Sequence, residues 1–131
     1  MTLKDNTLTL GLIGITLVDA LGSISSRMFA FDYFYIGPFS LIVYGFVGFI
    51  TARERNLKQA IVSTSILGLF DSTAGWLIMN LLEANVVGWN REIYSPVLFF
   101  AMIFLMILFG GIVGLISGGV VLLFKRTLAD D

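Results

Sequence analysis

The chain has 131 residues, 57% of them hydrophobic and 13% charged, with a formal net charge of −1 and a mean hydropathy of +0.94. A soluble domain of this length needs far more polar surface, so the composition indicates an all-α integral membrane protein. With neither Cys nor His in the sequence, disulfides, thiolate chemistry and the usual transition-metal ligands are excluded; no cofactor or metal is expected, and the near-zero charge offers no footprint for nucleic acid.

A bilayer core about 30 Å thick takes roughly 20 apolar residues of helix. Four such spans can be read, about Leu8–Ser26, Tyr33–Ala52, Ala60–Leu82 and Val97–Phe124. They leave no room for a soluble domain, so the whole chain is read as a single four-helix transmembrane bundle in the lipid bilayer. Lys4 and the Ala20-Leu21-Gly22 stretch give the first span some likeness to a signal peptide. Asp19 inside the apolar run argues against that, and the span is expected to be retained. Thr16, Asp19, Ser23 and Ser26 recur at three-four spacing and draw one polar stripe along this first helix.

The loop that follows, "RMFAFDYFYIGPF", is dense in aromatic rings, and Tyr33 and Tyr35 are read as anchors at the headgroup level. After the second span the short turn "ARERNLKQ" makes spans two and three antiparallel neighbours. The third span carries Thr64, Gly68, Asp71 and Gly75 in a second small, polar stripe. Beyond it, "EANVVGWNREIYSP" places Trp89 and Tyr94 as further anchors, while Glu83, Arg91 and Glu92 read as solvated loop charges. Pro38 and Pro96 fall near the starts of the following spans, where a missing N–H costs little. In the fourth span, "FGGIVGLISGG" sets Gly110, Gly114 and Gly118 on one helix face. Small residues at that spacing let two backbones approach closely, with a partner either inside the chain or in another subunit.

Basic residues cluster at Lys4, at Arg53, Arg55 and Lys58, and at Lys125 and Arg126, whereas the other two loops hold only Arg27 and Arg91. The positive-inside rule then predicts both termini in the cytoplasm, N-in/C-in, with the plasma (inner) membrane as the expected location. A faint repeat, "LVDALGS" in span one and "LFDSTAG" in span three, suggests two parallel helical hairpins related by an axis along the membrane normal.

Asp19 and Asp71 both lie about 16 Å deep, counted from the basic side at about 1.5 Å per residue. An Asp at the centre of a span costs about 2.5–3.5 kcal/mol on the insertion scale, so each should face protein or water instead of lipid. Arg27 is eight residues beyond Asp19, out of easy reach. Either the acids are protonated and hydrogen-bonded in a structural seam, or the seam, with Thr16, Ser23 and Thr64 beside the two acids, holds something positive: a moving proton, a cation, or a partner's basic residue.

No nucleophile stands beside a recognisable base and no loop is suited to phosphate, so the chain is not expected to be an enzyme. The leading expectation is a non-enzymatic subunit or assembly component, a homo-oligomer or part of a larger membrane complex, packed through the glycine face of the fourth helix and the aspartate seam. The alternative is a proton- or cation-coupled transporter using Asp19 and Asp71. In size, span number and an acid in the first helix, the chain resembles the small multidrug-resistance transporters. The second acid, the charge bias and the glycine-rich fourth span depart from that pattern, and no binding residue is carried over from it.

Overall fold

The computed structural model describes residues 3–87 and 95–127. Trp89, Arg91, Glu92 and Tyr94 lie outside the described residues. Among those described, helices account for nearly everything and there is no strand. Four helical stretches are long and apolar enough to cross a membrane: Asn6–Phe29, Tyr33–Glu54, Leu57–Leu81 and Pro96–Thr127.

The first is α1, Leu3–Phe29. A short 3-10 turn, Tyr33–Ile36, opens after Asp32, whose carboxylate accepts from the Phe34 N–H at 3.1 Å, and leads into α2, Gly37–Glu54, with Pro38 in its first turn. Asn56 then caps α3, Leu57–Phe70, by accepting from the Gln59 N–H at 2.8 Å. The third span does not continue as a regular helix. One π-helical turn, Asp71–Gly75, separates α3 from α4, Trp76–Leu81. The last helix, α5, runs unbroken over Pro96–Thr127.

Two side-chain hydroxyls bond back to the backbone at the π turn. Ser72 Oγ donates to the Gly68 carbonyl at 2.8 Å, and Thr73 Oγ1 to the Leu69 carbonyl at 2.7 Å. Hydroxyls that bond back to the preceding turn compete with the helical N–H groups for those carbonyls. Here the Trp76 N–H reaches back five residues to the Asp71 carbonyl, which closes the wider turn.

Helices in lipid gain little from apolar burial against one another, so their association rests on close packing and polar contacts. The glycine face of α5 supplies the packing within the chain. A Cβ on Gly110 would fall on the Thr64 carbonyl oxygen, and one on Gly114 would fall on Thr64 Oγ1 and 2.9 Å from the Ala60 carbonyl oxygen. Gly118 faces Leu57, Ala52 and Ala60 in the same way. The glycine stripe read from the sequence is thus occupied by α3 and the end of α2. At the same end Lys125 Nζ donates to the Arg53 carbonyl at 3.1 Å, so α5 finishes beside the basic turn.

Toward the opposite, aromatic end the contact changes character. Trp76 and Phe99 meet ring to ring with centroids 5.3 Å apart. Side chains of that size hold backbones apart where glycine lets them touch. Hence α5 is tight against the bundle at the basic end and stands off α4 at the aromatic end. A small core of Ile15, Tyr44, Val47 and Leu67 fills the centre below the gap this leaves.

Candidate functional site

The gap between the helices is a cavity of about 450 Å³, and both acids of the first and third spans line it. Asp19 comes from the middle of α1 and Asp71 from the first residue of the π turn. Asp19 is 1% exposed, while Asp71 is half-buried.

A tyrosine holds each carboxylate by one oxygen. Tyr33 Oη donates to Asp19 Oδ1 at 2.8 Å, and Tyr44 Oη donates to Asp71 Oδ2 at 2.9 Å. Tyr44 is 1% exposed, with its ring edge-on to Phe109 at 6.4 Å. Its position is therefore set by core packing. Tyr33 sits at the start of the 3-10 turn and is fixed by its backbone, whose N–H donates to the Asn85 carbonyl at 2.8 Å. Asn85 is fastened in turn: its N–H donates to Ser26 Oγ at 3.1 Å and its Nδ2 to the Phe31 carbonyl at 3.0 Å. The two connections at the aromatic end thus lock together, and the lock aims Tyr33 inward.

The remaining oxygens converge on Gly75. A Cβ there would fall on Asp19 Oδ2 and lie 2.9 Å from Asp71 Oδ1. Only a residue without a side chain lets both carboxylates approach this one point of backbone. Asp19 Oδ2 is buried and has no hydrogen-bond partner among the described residues. A buried acceptor left in that state is costly, and it marks the place where a donor or a cation would be bound.

Apart from Ser40 and Ser72, the rest of the wall is mainly apolar, with Trp76 and Met79 from α4, Met102, Met106 and Phe109 from α5, and Leu41 from α2. Leu41 and Met102 are 41% and 37% exposed, so the cavity reaches the outside of the bundle between α2 and α5. Among the described residues no group of three or more Asp, Glu, His or Cys could hold a metal ion.

Asp19 and Asp71 are brought together as the two stripes implied, but their neighbours are distributed differently. Thr16 Oγ1 donates to the Leu12 carbonyl of its own helix at 2.8 Å. Thr64 Oγ1 donates to the Ala60 carbonyl at 2.9 Å and lies under Gly114, in the helix contact. Ser23 is fully buried one turn beyond Asp19. None of the three lines the cavity. Tyr33, read as an interfacial anchor, points instead at Asp19, whereas Tyr35 is 74% exposed as an anchor would be. Glu83 pairs with Arg27 at 3.1 Å, both side chains being well exposed, an arrangement that contributes little.

No family model matches the chain, and no curated protein or solved structure matches it either. The functional reading rests on the site alone.

Proposed function

We propose that the chain is a small non-enzymatic membrane transporter that binds a cation between Asp19 and Asp71 and moves it, or a proton in exchange, across the bilayer. One observation carries this reading: two acids from separate spans line one cavity, and one of them keeps a buried oxygen without a donor. Ionisable groups at membrane depth face a bundle interior or a water-filled cavity and mark ion and proton pathways. The tyrosine clamps support the same reading, since they fix two oxygens and leave two for an arriving positive charge.

Orientation belongs to the proposal. The basic end, with Arg53, Arg55 and Lys125, is assigned to the cytoplasm of a plasma (inner) membrane, and the aromatic end to the outside. The duplication of two parallel hairpins is proposed on the shared Asp motif of spans one and three.

The test is flux in proteoliposomes carrying an entrapped pH indicator, with inorganic and organic cations presented outside in turn. At least one cation should drive proton movement about tenfold faster through the wild type than through Asp71→Asn, a difference of about 1.4 kcal/mol in barrier. Equal rates for the wild type and the Asp19→Asn/Asp71→Asn double variant would overturn it.

A second reading, as a subunit of a homo-oligomer or larger complex, has its own support. The cavity is open between α2 and α5, so a second copy or a foreign helix laid across those two would close it. Native mass spectrometry after gentle extraction tests this second reading: a stoichiometric foreign subunit or a homo-oligomer is expected, and a bare monomer would contradict it.

A further inference from the structure

The chemistry of the cavity narrows the cation. Resting on the cation-binding reading above, we infer that the cavity takes a protonated amine, an ammonium that still carries N–H donors, on a compact aromatic or alkyl body.

Three features of the wall lead there. The first is Asp19 Oδ2, buried and lacking a donor beside Asp71 Oδ1 at Gly75. One ammonium lying against Gly75 faces both oxygens, and its N–H groups supply the bonds that a quaternary ammonium, with charge but no donor, cannot. The second is the scarcity of oxygen. A bare alkali or divalent ion takes about six oxygen ligands, whereas two of the four carboxylate oxygens already accept from Tyr33 and Tyr44, and beyond these four side chains the lining adds two serine hydroxyls, Ser40 and Ser72, the second turned to the Gly68 carbonyl.

The third is the remainder of the surface. Trp76, Met102, Met106 and Phe109 offer an apolar wall with an indole, suited to an aromatic or alkyl body and unsuited to hydration water. Methionines adapt to bodies of differing shape. The volume, about 450 Å³, lies in the range of about 300–1,000 Å³ usual for small-molecule sites. A lipid amine fits poorly. Asp19 stands ten residues from Phe29, about 15 Å below the aromatic end at about 1.5 Å per residue, deeper than a headgroup rests. The occupant is a free amine.

Titration calorimetry on the full-length protein in detergent tests this with four probes: 2-phenylethylammonium, its trimethylated quaternary analogue, neutral 2-phenylethanol, and sodium. The primary ammonium should bind at least about tenfold tighter than either organic analogue, and sodium should not displace it at equal concentration. In Asp19→Asn, which leaves Asp71 at Gly75, the preference for amine over alcohol should fall at least about tenfold while the alcohol still binds, which shows that the cavity remains intact. Gly75→Ala, whose methyl would fall on Asp19 Oδ2, should weaken the amine selectively.

Equal binding of the quaternary probe, displacement by sodium, no binding of the amine, or a preference undiminished in Asp19→Asn would each overturn the inference. The wild-type comparison of the four probes decides the matter even if a variant fails to fold. Sodium displacement with Asp-dependent flux would leave the transport reading standing. Amine binding without Asp-dependent flux would remove transport and keep the amine site.

Discussion

Tyr44 joins two demands in one side chain, since its ring belongs to the core and its hydroxyl to Asp71. Tyr44→Phe keeps the ring and removes the donor. The expected loss is about 0.5–2 kcal/mol, in line with hydrogen bonds inside membrane proteins, read as a lower midpoint in denaturant or thermal unfolding. Arg27→Ala removes an exposed ion pair and is expected to shift the same midpoint by no more than about 0.5 kcal/mol. A large shift would mean that the loops depend on that pair. The two aspartates were legible in the sequence because an acid in an apolar run has to face protein or water, whether its role is structural or functional. Their tyrosines were not. Tyr33 lies 14 residues from Asp19 and Tyr44 lies 27 from Asp71, and a tyrosine near a span end also has an ordinary interfacial reading. Asn85 was hidden for a similar reason, being one amide in a polar loop whose partners come from 54 and 59 residues away.

At the scale of elements, α5 and the π turn define the cavity from opposite sides. Gly114→Leu would drive a branched side chain into Thr64 and the Ala60 carbonyl. Overpacking of that kind costs about 1–3 kcal/mol or more, so a lowered unfolding midpoint in the isolated chain is expected, with or without any partner. An unchanged midpoint would place the glycine face elsewhere. Deleting Thr73 should convert the π turn to regular helix and leave α4 nearly in phase with α3, because the wider turn accommodates one extra residue. Trp76 would then keep its place in the cavity wall, so helical content by circular dichroism and cation binding should both be retained, and loss of binding would mean that the π turn itself shapes the site. The spans and the glycine stripe followed from hydropathy and from spacing, and Pro38 and Pro96 marked helix starts. The break at Asp71 did not follow, because Ser72 and Thr73 in a small-residue run are equally at home in an α-helix that packs closely. Hydroxyl bonding to Gly68 and Leu69 accompanies the wider turn but does not single it out, since Thr16 and Thr64 bond back in the same way within regular helix.

For the whole molecule, the central claim is that the first and third spans face each other with their acids across one shared cavity that opens between α2 and α5. The absence of cysteine from the sequence makes this directly measurable, because any introduced thiol stands alone. Orientation comes first: Lys58→Cys should resist, and Tyr35→Cys should accept, an impermeant maleimide applied to intact cells, as the charge bias requires. The reverse pattern would invert the bundle. The deciding measurement is cross-linking of Asp19→Cys/Asp71→Cys in native membranes by a short bifunctional thiol reagent, with a protease site inserted after Arg55 so that only a link between the spans holds the two fragments together. Leu21→Cys/Leu69→Cys, at positions 62% and 43% exposed on the outside of the bundle, serves as the reference. Efficient linkage of the aspartate positions, far above that reference, is the expected result. Linkage no greater than the reference would mean that the two acids do not share a cavity, and the cation site, the amine and the transport reading would fall together.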